Sequence, residues 1–152
     1  MEVKKIIFPT DFSEASYNAL EYAVYMSKMF NAELELVHVV FDETYLVTMY
    51  VPQGTLQGFL GELENGAQQH MDEFLQNCDI LKDVKYTTHL LKGTPYSEII
   101  KYADESGADL IVIGTHGRTG IEHVLFGSTA EKIISRANCP VLTVKPKTAV
   151  ED

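Results

Sequence analysis

The sequence predicts an α/β fold built on one parallel, five-stranded sheet of order 3-2-1-4-5, doubly wound by four main helices. Three observations carry this expectation. Short apolar segments alternate along the chain with longer segments of helical period. Most of the short segments are continuously apolar, as strands buried on both faces are. Each helical segment stands between two strands, giving the order βαβαβαβαβ that connects parallel strands.

The first strand is Lys4–Pro9, a β-branched and aromatic run. A first helix follows from about Ser13 to Phe30, with Ala15, Ala19, Tyr22, Ala23, Met26 and Phe30 keeping the helical period. Asn31 suits a left-handed C-terminal cap. The second strand is Glu33–Val40. Phe41 to Gln53 is too long for an ordinary loop and reads as partly helical or as a lid. The second helix runs from about Thr55 to Cys78 on a stripe of Leu56, Leu60, Leu63, Ala67, Met71, Phe74 and Cys78. Gly58, Gly61 and Gly66 weaken its first half.

The third strand is Lys85–Leu91. Thr94-Pro95 offers an N-cap and a first-turn proline to a third helix, Pro95 to about Ser106, which Gly107 ends. This helix is expected to bury Ile99, Ile100 and Ala103. The fourth strand is Asp109–Ile113. The fourth helix, Ser128 to Ala137, sets Ala130, Ile133, Ile134 and Ala137 on one face, and Val141–Val144 is the fifth strand.

A chain of 152 residues fits one domain, here 1–147, with a polar tail at 148–152. Its net charge of −10 opposes sequence-independent attraction to nucleic acid or to anionic membrane. No apolar run approaches a membrane span, and the N-terminus shows no signal-peptide pattern, so the expected location is cytoplasmic. Cys78 and Cys139 lack a CxxC spacing and read as free thiols.

The segment between the fourth strand and the fourth helix carries the chemistry. It reads Gly114-Thr-His-Gly117-Arg-Thr-Gly120-Ile-Glu-His-Val-Leu-Phe-Gly127-Ser128-Thr129. Glycines let the backbone approach a ligand, and a helix start offers unpaired N–H groups to an anion. With the order 3-2-1-4-5, the first and fourth strands are neighbours where the strand order reverses, the place where open α/β sheets bind ligands. Pro9-Thr10-Asp11-Phe12-Ser13 would then face the glycine segment. Asp11 could accept from a nucleoside while the glycine segment cradles phosphate. Asp11 and Ser13 also compete as N-cap of the first helix, and Ser128-Thr-Ala-Glu131 has the form of a capping box.

The segment lacks GxxxxGK[ST] and so is no P-loop, and the first strand is not followed by GxGxxG. Arg118 is its one cation. His116, Glu122 and His123 have no fixed helical register that would make a metal site. His38, His70 and His89 lie on predicted elements without evident partners. No catalytic triad or other catalytic residue can be read from the spacing.

These residues resemble the universal stress protein family. The likeness runs from Lys5-Ile-Ile-Phe-Pro-Thr-Asp-Phe-Ser13 through Leu36-Val-His-Val-Val40 to Cys139-Pro-Val-Leu-Thr-Val144, and the pattern G-x2-G-x9-G-[ST] of its ATP-binding branch is complete in Gly114, Gly117, Gly127 and Ser128. The resemblance implies a Rossmann-like sheet of the adenine-nucleotide α-hydrolase-like fold. It implies ATP or another adenine nucleotide, with Mg²⁺ or Mn²⁺ carried by the phosphates. Pro9, Thr10 and Asp11 would lie against adenine and ribose, and Val39 and Val40 would offer a backbone edge to adenine. Gly114, His116, Gly117, Arg118, Gly127, Ser128 and Thr129 would surround ribose and phosphates, with His116 as the candidate base if hydrolysis occurs. The family further implies a homodimer through the fifth strand, with Val141 and Val144 as contacts. The function expected is a nucleotide-dependent stress-response switch with an unknown protein partner and slow or absent hydrolysis. A nucleotide-activating enzyme of a related class and a nucleotide-free interaction protein stand as alternatives.

Overall fold

Strand β1 (Lys5–Pro9) occupies the centre of a parallel sheet whose order is β3-β2-β1-β4-β5. The other strands are β2 (Glu33–Phe41), β3 (Tyr86–Gly93), β4 (Leu110–Gly114) and β5 (Val141–Val144). The structure is a computed structural model and describes residues 1–41, 50–116 and 126–147. The described helices are α1 (Glu14–Phe30), α2 (Gln53–Gln76), α3 (Pro95–Ser106) and α4 (Ser128–Arg136), with a 3₁₀ turn at Asp79–Asp83. The predicted fold class and strand order are those observed. Residues 42–49, most of the long connection after β2, and the tail 148–152 lie outside the described residues.

Alternation along β1 sends Ile6 and Phe8 to one face and Ile7 to the other. On the first face Ile6, Phe8, Leu34, Leu36 and Val112 pack with Ala19, Leu20, Ala23 and Val24 of α1. On the second face Ile7, Val37, Val39, Ile111 and Ile113 pack with Ile99 and Ala103 of α3 and Ala130 and Ile133 of α4. α3 and α4 thus cover the same face, and both begin at the carboxyl ends of strands.

Local chemistry sets the helix ends. Ser13 caps α1 by accepting from the Ser16 N–H at 3.1 Å, and Asn31 ends it at φ 52°. Gly107 ends α3 at φ 69°. Thr94 caps α3 without the side-chain hydrogen bond expected of it, and Pro95 stands in the first turn. Predicted apolar faces need three corrections. Tyr22 and Phe30 are exposed, and the buried stripe of α1 is Ser16, Ala19, Leu20, Ala23, Val24 and Ser27. Leu63 of α2 and Ile134 of α4 are also exposed. Ile100 is only half-buried, whereas Ile99 and Ala103 are buried. Each miss sits at the flank of its helical stripe, where the period admits a residue that the narrow sheet does not reach.

A polar cluster lies within the second face. Lys5 Nζ stands 3.2 Å from Glu35 Oε1 and donates to the Ser106 carbonyl at 3.0 Å. Glu35 is 6% exposed, and its Oε2 has no hydrogen-bond partner. Burial first, and then the Glu35 carboxylate, push the Tyr102 hydroxyl up to about 12. Both thiols are free; burial, reinforced by Asp79, pushes Cys78 up to about 11, so it is a poor nucleophile. No helix among the described residues is long and apolar enough to cross a membrane.

Lys5 is the one cation paired with the buried Glu35 among the described residues. Lys5→Met should therefore cost ~3 kcal/mol in urea denaturation, since it strands a buried carboxylate, whereas Lys5→Met combined with Glu35→Leu should recover most of that loss. Equal stabilities for the single and double variants would show that the pair carries no such coupling.

Candidate functional site

The reversal of strand order between β1 and β4 opens a cavity of about 290 Å³ at the carboxyl ends of the strands. The cavity is lined by Pro9, Thr10 and Asp11 after β1, by Gly114, Thr115 and His116 after β4, and by Gly127, Ser128 and Thr129 at the start of α4. Val39 closes it on the β2 side. A second hollow of about 330 Å³ lies at the opposite end of the sheet, beside Lys4, Lys28 and Lys85. Its lysines are paired with Glu2, Asp83 and Glu33. Size does not decide between the two; position on the fold and available donors favour the first.

Thr10 organises the β1 side. Its N–H donates to the Val37 carbonyl at 2.9 Å, extending the sheet ladder by one residue. Its hydroxyl oxygen accepts from the Phe12 N–H at 3.0 Å and from the Ser16 hydroxyl at 2.7 Å. Its carbonyl lies 2.8 Å from His38 Nδ1. A carbonyl can only accept, so Nδ1 carries the proton there. Asp11 Oδ1 accepts from the Ser13 N–H at 3.0 Å, forming an Asx turn. The competition for the cap of α1 is thereby resolved: Ser13 caps the helix and Asp11 braces the turn before it.

Phe12 adopts φ 64°, a left-handed conformation that a bulky side chain rarely takes. Its ring lies 4.3 Å from the His38 ring and 5.6 Å from Phe74, centroid to centroid. Strain of this kind persists where surrounding contacts over-determine it, and here the Thr10 hydroxyl and the aromatic stack do so.

The opposite wall is pinned at Thr115, which is almost fully buried. Its N–H donates to the Val144 carbonyl at 3.0 Å, and its carbonyl accepts from the Gly127 N–H at 2.6 Å. The two ends of the glycine segment therefore meet at one residue. Gly114 has a further role. A Cβ there would stand 3.3 Å from the Ala15 carbonyl oxygen, so this glycine lets the start of α1 approach β4.

Gly127, not Ser128, is the N-cap of α4, at φ −63° and ψ 158°. The expected capping box of Ser128 does not form, because Ser128 is already the first helical residue. The N–H groups of Ser128, Thr129 and Ala130 precede the first intrahelical bond, which Glu131 makes to the Gly127 carbonyl. They belong to residues lining the cavity, at the positive end of the helix. His116 Nδ1 lies 2.8 Å from Thr115 Oγ1.

The structure thus brings Pro9, Thr10, Asp11, Val39, Gly114, His116, Gly127, Ser128 and Thr129 to one cavity. Val40 does not line it: alternation turns Val39 to the α3 face and Val40 away. Gly117, Arg118, Glu122 and His123 lie outside the described residues. Sequence reasoning missed Ser16, Val37, His38, Pro95, Ile99, Ile113, Thr115 and Ala130, which also line the cavity. It left His38 and His89 without partners, yet His38 bonds Thr10, and His89 lies 3.1 Å from Thr87 Oγ1 and against the Tyr102 ring. The position of His38 in the last turns of a central strand was the available signal.

A model of the universal stress protein family matches residues 2–145. The chain belongs to the universal stress protein family. Universal stress protein MJ0531 of Methanocaldococcus jannaschii is 37% identical over 153 residues, covering 93% of this chain and 82% of that protein. Universal stress protein MJ0577 of the same organism is 32% identical over 155 residues, covering 95% of this chain and 96% of that protein. The solved structure of MJ0577 matches with a TM-score of 0.79 over 98% of this chain and 100% of that one. A universal stress protein of Archaeoglobus fulgidus, solved in complex with dAMP, shares the fold at 22% identity and a TM-score of 0.65, over 94% of this chain and 98% of that one.

Thr10→Val keeps the shape of the side chain but removes the acceptor of two bonds. It should cost this universal stress protein ~2 kcal/mol in urea denaturation, because the Phe12 N–H and the Ser16 hydroxyl lose their partner. A variant as stable as the parent would show that the turn does not depend on this hydroxyl.

Proposed function

We propose that this universal stress protein binds ATP, or another adenine nucleotide, in the cavity between β1 and β4 and acts in the cytoplasm as a nucleotide-dependent stress-response switch. The observation that carries this reading is the opposition of two walls across one cavity. One wall presents a carboxylate, Asp11, suited to nucleoside hydroxyls. The other presents the backbone donors of α4, suited to phosphate. The apolar patch of Val37, Val39, Ile99 and Ile113 suits a purine ring. The A. fulgidus relative solved with dAMP supports the adenine-nucleotide class.

Mg²⁺ or Mn²⁺ would accompany the phosphates. The hydroxyls of Ser128 and Thr129, with phosphate oxygens, are the hard ligands such ions take. Among the described lining residues there is no lysine or arginine, whereas fast phosphoryl transfer needs concentrated positive charge. Slow or absent hydrolysis is part of this reading, with His116 the group proposed to orient a water.

The sheet edge supports pairing of two copies. The Ile111 and Thr115 N–H groups donate to the carbonyls of Pro140 and Val144, so the even positions of β5 bond inward. Val141 and Thr143 then turn their N–H and C=O groups to the open edge, which suits addition of a second β5. Val144 is buried in its own core, so its side chain is not the contact expected from sequence.

Mass spectrometry of the denatured, purified protein should release an adenine nucleotide; no release together with no binding on titration overturns the reading. Gly127→Val should weaken ATP binding at least about tenfold in a variant shown to be folded by circular dichroism, because φ −63° admits a side chain and that side chain blocks the approach of phosphate. His116→Ala should lower any residual turnover, and turnover equal to the parent's would remove His116 from that role. Thr143→Pro should convert dimers to monomers in light scattering, since that N–H is unused within the protomer; a persistent dimer would place the interface elsewhere.

A further inference from the structure

The cavity lining among the described residues holds one carboxylate, Asp11, and no lysine or arginine. Beyond that lining, α4 offers positive charge at the rim. Thr129 lines the cavity, and Lys132 follows on the same side, one turn later. Helical side chains lean toward their own N-terminus, so the stem of Lys132 points back toward the cavity mouth. Lys132 Nζ stands 4.6 Å from the centroid of the Tyr96 ring. The guanidinium carbon of Arg136, a further turn along, stands 5.2 Å from the same ring. Tyr96 directly follows Pro95, itself a lining residue. Both cations therefore gather at the seam of α3 and α4, whose first turns border the cavity.

Seven other described lysines are placed differently, while Lys101 and Lys145 form no ion pair among the described residues. Lys4, Lys5, Lys28, Lys82, Lys85, Lys92 and Lys147 each pair with a carboxylate. In a chain of net charge −10, acidic partners are plentiful. Among the described residues, Lys132 and Arg136 have none within ion-pair distance and are held on an aromatic ring instead. An exposed cation–π contact is weak beside a charge-assisted bond to a phosphate oxygen. Tyr96 thus orients Lys132 without competing strongly for it.

We propose that Lys132 is the distal-phosphate contact of this site: it leaves the Tyr96 ring to bind the terminal phosphates of a nucleoside di- or triphosphate and so discriminates them from monophosphates. Tyr96 is the positioning residue, and Arg136 raises the local potential beside it. The proposal rests on the adenine-nucleotide reading above and adds to it the basis of choice by phosphate number. A monophosphate seated at the α4 N-terminus satisfies the backbone donors and does not need Lys132.

Calorimetric titration of AMP and of ATP, each with excess Mg²⁺ at low salt, tests this on the parent, Lys132→Ala and Lys132→Arg. Lys132→Ala should weaken ATP about tenfold while AMP changes by less than roughly twofold. Lys132→Arg should retain most of the ATP affinity. Lys132 is exposed, so equal melting midpoints of the ligand-free proteins will keep folding out of the comparison. Equal losses for AMP and ATP, or no loss for ATP, overturn the role of Lys132 while leaving the nucleotide reading intact. A parent protein that binds neither nucleotide overturns both.

Discussion

The pairing of β1 with β4 is the constraint on which the rest of the structure depends. Its register is short, Ile6 with Leu110 and Ile7 with Ile111, but it places a late strand beside the first one. β2 leaves β1 on one side and β4 on the other, so the segments that follow β1 and β4 diverge to opposite faces. A gap at their carboxyl ends is the geometric consequence. Without this pairing the Thr10–Asp11 turn and the start of α4 would not share a cavity, and neither alone is more than a turn and a helix end.

Two small hydrogen-bonding centres hold the walls of that gap. Thr10 binds β2 through its N–H, the Phe12 turn and Ser16 through its hydroxyl, and His38 through its carbonyl. Thr115 ties β4 to β5 and to the N-cap of α4. Both residues are buried, so these bonds form where water does not compete. The left-handed Phe12 follows from the first centre, since the turn must reverse within one residue of Asp11 to begin α1. Buried hydrogen bonds thus hold both walls, and the described groups that face the cavity include backbone donors and short polar side chains.

Much of the site was legible in the residues. The glycine spacing from Gly114 to Gly127 marked one wall of the cavity, and Asp11 after an apolar run marked the other. What was not legible came from the other side of the sheet. Pro95 and Ile99 enter the cavity because α3 covers the same face as α4, a fact of packing without a local signature. His38 reads as an ordinary strand residue until the Thr10 carbonyl is seen beside it. Val39 lines the cavity and Val40 does not, because in a strand one residue is a change of face. Exposed Tyr22, Phe30, Leu63 and Ile134 were counted into helical stripes because periodicity reports a direction and not the width of the surface that it meets.

The sequence by itself determined the order of elements, the caps at Asn31 and Gly107, the parallel sheet and the family pattern, because each is set by local propensity or by spacing along the chain. Tertiary structure alone decided which hydroxyls are free for a ligand and which are spent on the fold. Ser13 took the cap that Asp11 could have taken, Gly127 took the one read for Ser128, and Gly114 proved to accommodate α1 as well as to line the cavity. It also decided the partner of Lys132, an aromatic ring on another helix rather than a carboxylate on its own. The physical reason is the same in each case. A polar group's role depends on which donors and acceptors come within about 3 Å of it, and that distance is fixed by packing between elements far apart in sequence.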